Sequence, residues 1–333
     1  MLTLFGEVRP GEGTTVVLLT FNVFLILSAY YLLKVAREPL ILLGGGAEVK
    51  SYASVGQSIL LVFVASSYGW LAARASVGCC RPRAQREARA VVSHEKVEAP
   101  LAHGNAFPLV LRDRYHLVLC ALVLALNFVT KSGDYVLDRM LLAGSAEHAH
   151  ALGVTQSTYI GQFKAHYFQF INVIGVGMQL FLVSRIVKYV GLRVALVVIP
   201  LASTVGYGAT LFLPMIEVLF VARVIESSLD YSLSNTTQQS LWLVTTREAK
   251  YKAKQVIDTF FKRAGDTMSA ALVWTTVHFA LGTRTFLAVN VALSLAWVGL
   301  AVIVGRGYMR RSTTTQKAEG DRGRLPDAEG GPR

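Results

Sequence analysis

The stretch TTVVLLTFNVFLILSAYYLLKV occupies residues 14–35 and contains one charged residue, Lys34. An α-helix rises 1.5 Å per residue and needs about 20 apolar residues to cross the hydrocarbon core of a bilayer. The stretch is therefore long enough to span a membrane. It is too long for the apolar region of a signal peptide, has only Arg9 as a basic residue ahead of it and lacks a small-residue cleavage site. We predict a retained transmembrane helix.

Apolar stretches of this length recur along the chain. Of its 333 residues, 53% are hydrophobic and 16% are charged, and the mean hydropathy is +0.45. Soluble domains carry about 25% charged residues, so a soluble helical fold is disfavoured. We predict an all-α, polytopic transmembrane bundle of eight spans. After the first, the spans are predicted at Tyr52–Ala73, Tyr115–Tyr135, Tyr167–Val187, Leu192–Phe212, Ile216–Trp242, Lys254–Leu281 and Thr285–Val304.

The chain divides into four predicted regions. These are a two-helix region at 1–74, a basic linker at 75–113, a six-helix region at 114–311 and a disordered tail at 312–333. The basic connections all lie on one side if eight helices alternate. Because positive loops face the cytoplasm, we expect an integral membrane protein with both termini in the cytoplasm. The basic connections are 81–96, Arg185–Arg193, Arg247–Lys254 and Arg310–Arg311.

Other functional classes lack their sequence signals. The net charge of +12 is carried mainly by loops and shows no basic patch interleaved with aromatic residues, so we expect no nucleic-acid partner. The cysteines at 79, 80 and 120 fit neither a disulfide framework nor a zinc site. His148 and His150 resemble a solvated loop more than a metal site. Without a phosphate-binding loop or a catalytic constellation, we expect no enzyme, metal or cofactor.

Ionisable residues recur inside the predicted spans, where a charge costs a few kcal/mol or more unless it faces a hydrated cavity or a partner. At the end of the first span, Lys34, Arg37 and Glu38 share a helix face. The alternative there is a snorkelling helix end. The third span carries a polar stripe at steps of four, three and four residues, for which a local ion pair is the alternative. The stripe consists of Asn127, Lys131, Asp134 and Asp138.

The sixth and seventh spans carry further polar rows. In the sixth span, Arg223 interrupts an apolar run and opens a row with steps of three and four, for which a structural ion pair is the alternative. In the seventh span the charge alternates in sign every four residues, and a solvated surface helix is the alternative. The sixth-span row is Arg223, Glu226, Asp230, Ser234 and Gln238, with Asn235 and Gln239 beside it. The seventh-span row is Lys254, Asp258, Lys262 and Asp266.

These rows predict a shared cavity for an anion. Arginine binds phosphate through two parallel hydrogen bonds and lysine acts as a mobile point charge. Nearby carboxylates balance the charge and are able to carry protons. A sugar or an organic acid fits the same description. The candidate nucleotide-binding or substrate-binding residues are Lys34, Arg37, Lys131, Arg223, Asn235, Gln239, Lys252, Lys254, Lys262 and Arg263. The candidate coupling carboxylates are Glu38, Asp134, Glu226, Asp230, Asp258 and Asp266.

Several of these segments resemble one transporter family. They are YYLLKVAREPLIL at Tyr30–Leu42, GAEVKSY at Gly46–Tyr52, Leu111–Leu141 with its core LNFVTKSGDYVLDRML, QLFLVSRIVKYVG at Gln179–Gly191 and DYSLSNTTQQSLWLVTTREAKYKAKQVIDTFFKRAGDTMSA at Asp230–Ala270. The chain is similar here to the nucleotide transporters that include plastid and intracellular-parasite ATP/ADP exchangers and their bacterial relatives.

The resemblance implies a major-facilitator-like architecture of two six-helix halves that exchanges ATP for ADP, or imports nucleotides, by alternating access. It implies functional roles for Arg37, for Asp134, and for Lys252 or Lys254. Two departures stand out. Asp134 occupies a position where bacterial relatives usually have glutamate, and family helices three to six have no counterpart between the second predicted span and the third.

Three functions follow from these observations. The first is a nucleotide carrier in the lipid bilayer, with ATP or ADP as its substrate, working as a homodimer that completes the bundle. The second is a shortened membrane protein of the same family that does not transport. The third is a permease for another organic anion.

Overall fold

The computed structural model describes residues 13–78, 106–246 and 249–322, and these are almost entirely helical, with no β-strand among them. Four helical stretches in these ranges are long and apolar enough to cross a membrane. This confirms the all-α fold and agrees with a membrane protein. The other helices are shorter or more polar, so the count of eight spans stays a prediction. The four stretches are Gly13–Leu61, Arg114–Ala151, Leu192–Phe212 and Thr283–Thr313.

The described helices follow one another with short connections, and short π-helical segments interrupt several of them. The α-helices are α1 (Gly13–Gly78), α2 (Ala106–Arg112), α3 (Arg114–Ala151), α4 (Gln156–Gly177), α5 (Val183–Arg185), α6 (Leu192–Phe212), α7 (Ile216–Leu229), α8 (Asn235–Leu241), α9 (Lys254–Val256), α10 (Lys262–His278) and α11 (Thr283–Arg322). The π-helical segments are Met178–Leu182, Ile186–Val190, Asp230–Ser234, Ala249–Ala253 and Ile257–Phe261. Helix α3 is central and packs against α1, α4, α7, α10 and α11.

Helix α1 bends at Gly46, where the backbone angles φ 77° and ψ 175° are not helical. Glu38 and Lys50 lie 12 positions apart, which is about 18 Å along a straight helix. Their side chains nevertheless meet at 2.7 Å, so the chain turns back sharply between them. Helix α1 therefore consists of two arms, 13–45 and 47–78. This agrees with two predicted helices on either side of the glycines at 44–46.

The first arm of α1 runs antiparallel to α4. The Tyr31 hydroxyl donates a hydrogen bond to Asn172 at 3.1 Å. About two turns further along α1, the Glu38 carboxylate lies 3.8 Å from the Lys164 ammonium group. As residue numbers rise along α1, those of its α4 partners fall. The start of α1 and the end of α4 therefore lie toward the same end of the bundle, and Gly46 lies toward the other.

Several helix ends meet at that first end, and we call it the basic end because Arg114, Arg193, Arg306, Arg310 and Arg311 lie there. The Tyr115 hydroxyl at the start of α3 donates to the Leu241 carbonyl at the end of α8 at 3.1 Å. Gly305 of α11 packs against Arg193 at the start of α6. Arg193 and the Arg310–Arg311 pair, from two of the predicted basic connections, thus lie at one end. The predicted connection 81–96 lies outside the described residues, and the membrane side that this end faces stays a prediction.

The helix boundaries differ from the predicted spans mostly at polar ends. The fifth span, Leu192–Phe212, agrees with α6. Helix α3 continues beyond Tyr135 to Ala151, because the polar residues that ended the predicted span are paired inside the protein. Helix α11 reaches Arg322, within the predicted disordered tail, and residues 323–333 lie outside the described ranges. Most of the predicted linker 75–113, including Cys79 and Cys80, also lies outside them.

The bend predicts that Gly46 tolerates no side chain. Its backbone lies in a region that is open almost only to glycine, so Gly46→Ala should lower the free energy of unfolding by about 1–3 kcal/mol. Thermal unfolding of the purified protein in detergent measures the loss. Gly44→Ala is the matched control, because nothing lies within 4 Å of an added Cβ at that position. Equal losses in the two variants would contradict the bend.

Candidate functional site

The central helix α3 places two carboxylates one turn apart, and each carboxylate anchors a cluster of charges. Asp134 and Asp138 are four residues apart, so both point to the same side of the helix. Asp138 contacts lysines from α1 and α4, and Asp134 contacts an arginine from α7. The site is therefore built from four helices around one face of α3.

The first cluster is a buried quartet of Glu38, Lys50, Asp138 and Lys164. Lys50 bridges the two acids, at 2.7 Å from Glu38 and 2.8 Å from Asp138. Lys164 forms a close ion pair with Asp138 and lies 3.8 Å from Glu38. Glu38, Asp138 and Lys164 are each at most 2% exposed. Two cations and two anions neutralise each other, which is the condition under which charges are tolerated away from water.

The second cluster surrounds Arg223, which is fully buried. Its guanidinium lies 2.5 Å from Asp134 and 2.7 Å from Glu226, and it donates to the Tyr207 hydroxyl at 3.0 Å. Tyr207 in turn donates to Glu226 at 2.9 Å. Gly133 makes room for this network, since a Cβ there would come within 1.9 Å of the Tyr207 hydroxyl. Arg223 thus holds Asp134 from behind.

A polar cavity of about 170 Å³ opens on the other side of Asp134 and Asp138. Ser51, Ser54 and Gln57 from the second arm of α1 add hydroxyl and amide groups to its wall, and Ser269 of α10 adds another hydroxyl. Three cations and three carboxylates line the cavity, so their formal charges balance. They are Arg37, Lys50, Lys131, Asp134, Asp138 and Asp266.

The charged groups of the cavity differ in how strongly they are already engaged. Lys50 is held by two acids, as described above. Lys131 is half-exposed and lies 3.9 Å from Asp134. Arg37 is 60% exposed and contacts Glu38 at 3.7 Å. Asp266 is buried, with one oxygen 3.2 Å from Arg263 and the other without a hydrogen-bond partner among the described residues. Arg37, Lys131 and Asp266 therefore keep capacity for a bound molecule.

Other predicted site residues lie away from the lining of this cavity. Lys34 stands 4.1 Å above the Phe168 ring, and Asn235 is exposed. Lys254 donates to Gln239 at 2.8 Å near the surface. Lys262 pairs with Asp258 at 3.4 Å, both partly exposed, and Asp230 is half-buried. The side chain of Lys252 lies outside the described part of the chain. The structure thus brings together the candidates from α3 and α7 with Arg37 and Glu38 of α1, and Asp266 and Arg263 lie beside them.

Lys50 and Lys164 were missed as candidates because of where the predicted spans began and ended. Lys50 falls between the first two predicted spans, outside the polar rows that supplied the candidates. Lys164 precedes the predicted start of the fourth span at Tyr167, although α4 begins at Gln156. Asp138 belonged to the third-span stripe but was not chosen as a site residue. A lone lysine in the helical stretch QFKAHYFQF was the available signal for Lys164.

Comparisons with known proteins add no assignment to this geometry. No family model matches the chain, and neither a curated protein nor a solved structure matches it.

The quartet predicts that replacing Lys164 lowers the stability of the protein much more than replacing Lys131. Removing Lys164 leaves buried carboxylate charge uncompensated, so Lys164→Met should cost about 3–5 kcal/mol of unfolding free energy. Lys131→Met removes a half-exposed, distant pair and should cost less than about 1 kcal/mol. Unfolding in mixed detergents measures both variants.

A second substitution tests whether the loss comes from the ion pair. Adding Asp138→Asn to Lys164→Met removes the partner charge and leaves the Lys50–Glu38 pair in place, so the double variant should recover part of the lost stability. Additive losses in the double variant would show that the two residues do not interact.

Proposed function

We propose that the protein is an integral membrane carrier for a phosphorylated anion, with a nucleotide such as ATP or ADP as its substrate. The observation that carries this proposal is the cavity beside Asp134 and Asp138, whose wall combines Arg37 and Lys131 with serine hydroxyls in a bundle of apolar helices. Arginine, lysine and hydroxyl groups donate the hydrogen bonds that phosphate oxygens accept. The resemblance to nucleotide transporters in Tyr30–Leu42 and Leu111–Leu141 favours the same substrate class.

The balance of charge in the cavity suits a carrier. In an empty site that held only cations, these cations would repel one another. Such a site would also bind an anion too tightly to release it. Here Asp134 and Asp266 lie beside Lys131, so an arriving phosphate competes with carboxylates for the same cations. Release then exchanges one set of ion pairs for another, which keeps the two states close in free energy.

The volume of the cavity bears on which part of the substrate it holds. Small-molecule sites usually enclose about 300–1,000 Å³, and this cavity encloses about 170 Å³. In this conformation it accommodates a phosphate end but not a whole nucleotide. Nucleotide binding therefore requires the helices to separate. The same observation favours a permease for a smaller phosphorylated or organic anion as the second candidate function.

The membrane topology belongs to the proposal as well. We place eight spans in a major-facilitator-like arrangement in a bacterial inner membrane, with the basic end and both termini in the cytoplasm, because positive charge favours that side. In alternating access, one bundle rocks against another around a central site. We propose that a second copy of the chain supplies the opposing bundle. A shortened protein without transport is the alternative.

Uptake into vesicles tests the proposal. Protein reconstituted in liposomes should accumulate labelled ATP or ADP, and excess unlabelled nucleotide should compete more strongly than phosphate or an organic acid. Lys131→Gln and Arg37→Gln each remove a charge-assisted contact, commonly about 1.5–3 kcal/mol, and should lower kcat/KM for uptake by about tenfold or more.

Lys188→Gln is the matched control, since Lys188 is exposed and borders the basic end, far from the cavity, and this variant should keep wild-type uptake. Preferential competition by phosphate would move the assignment to the smaller anion. Absence of flux for every anion in folded, inserted protein would leave the non-transporting alternative.

A further inference from the structure

A second cavity, of about 390 Å³, lies at the basic end between the start of α3 and the C-terminal half of α11. Its wall includes Arg114, Arg306, Arg310 and Arg311. Asp113 lies beside them and forms an ion pair with Arg311 through two contacts of 2.6 and 2.8 Å. Four arginine side chains thus line one cavity.

The position of Arg311 is constrained on two sides. Besides its contacts with Asp113, its guanidinium stands 4.5 Å above the Tyr115 ring. Burial raises the pKa of the Asp113 carboxyl, but hydrogen bonds from Arg311 and from the Tyr115 backbone outweigh that effect, so the pKa lies below its ordinary value. The acid therefore stays charged near neutral pH, and Arg311 stays in place as part of the wall.

Gly307 allows the two helices to approach closely enough to form this wall. A Cβ at Gly307 would come within 3.1 Å of the Tyr115 ring, so a glycine there lets α11 lie directly against α3. Tyr115 is itself buried and held by its hydrogen bond to Leu241. The cavity thus has a floor made of fixed groups.

The wall changes from apolar to cationic along both helices in the same direction. On α3 it passes from Val118 to Arg114, and on α11 from Ile303 to Arg310. At a rise of 1.5 Å per residue, the change from apolar to cationic side chains on α11 extends over about 10 Å. An apolar part toward the middle of the bundle and arginines toward its end match the order of acyl chain and headgroup in one leaflet of a bilayer.

We propose that this cavity is a binding site for an anionic phospholipid, whose phosphate lies among Arg114, Arg306 and Arg310 and whose acyl chain follows Val118 and Ile303. Arginine recognises phosphate through paired hydrogen bonds, and basic pockets between transmembrane helices bind anionic headgroups. A free phosphate would use the arginines alone, whereas the apolar part of the wall is complementary to a lipid chain. The site is separate from the cavity beside Asp134 and does not depend on transport.

Native mass spectrometry of the full chain tests this assignment. The purified protein is incubated with equal amounts of phosphatidylglycerol and phosphatidylcholine that carry the same acyl chains. Wild-type protein should retain phosphatidylglycerol in preference. The double variant Arg306→Gln/Arg310→Gln should lower that preference on the order of tenfold, since each arginine near a membrane surface attracts anionic lipid with about 1 kcal/mol.

Arg284→Gln is the matched control, because Arg284 is an exposed arginine of the same helix at the opposite end of the bundle, and this variant should keep the wild-type preference. Thermal unfolding in phosphatidylcholine alone verifies that the double variant is folded. If it is not, Arg306→Gln alone should lower the preference about fivefold.

Three results would overturn the assignment. They are equal retention of the two lipids by the wild type, an unchanged preference in the arginine variants, and displacement of phosphatidylglycerol by millimolar inorganic phosphate. The last result would show that the site takes a free anion.

Discussion

The ion quartet of Glu38, Lys50, Asp138 and Lys164 is the interaction on which the arrangement of the first helices depends. Each of these charges, alone at bilayer depth, would cost several kcal/mol. Together they are neutral, and they are contributed by both arms of α1, by α3 and by α4. The chain bends at Gly46 so that the Lys50 side chain reaches Glu38. The local backbone and the long-range ion pairs therefore support each other.

The same helix face carries the site, because α3 displays Asp134 one turn from Asp138. Arg223, which lies on α7, holds Asp134, so both acids have ion-pair partners inside the protein. The groups that these partners leave exposed form the lining of the cavity. This arrangement separates two tasks. Arg223 and Lys164 compensate charge inside the protein, whereas Arg37 and Lys131 keep exposed cationic groups at the cavity. Only the second kind would be available to the substrate proposed above.

The sequence was sufficient to predict the kind of fold and part of the site. Apolar stretches predicted an all-helical protein, and the agreement at Leu192–Phe212 comes from a segment whose ends are marked by Gly191 and by the break before Pro214. Steps of three and four residues correctly put Asp134 and Asp138 on one face. Periodicity within one helix, however, carries no information about partners in another. The pairing of Asp138 with Lys50 and Lys164 depends on the bend and on helix packing, so those two lysines could not be assigned. For the same reason, the sequence alone does not show that packing directs the Arg223 guanidinium toward two carboxylates and a tyrosine.

The quartet also limits how a carrier built from this chain could move. Separating α1 from α3 and α4 would expose four charges to an apolar environment, which is more costly than sliding apolar helix faces past each other. The arms of α1 therefore move together with the helices that follow them, as one body. Alternating access needs a second body against which the first one rocks. The first arm of α1 has an apolar segment that is exposed along its whole length, with Leu18, Phe21 and Phe24 among its outward side chains. In a bilayer this surface meets either lipid or protein, and a second copy of the chain presents the same apolar surface and a second cavity. In the dimer proposed above, the quartet holds each copy together as one body, and apolar surfaces of this kind form the contact between the two copies.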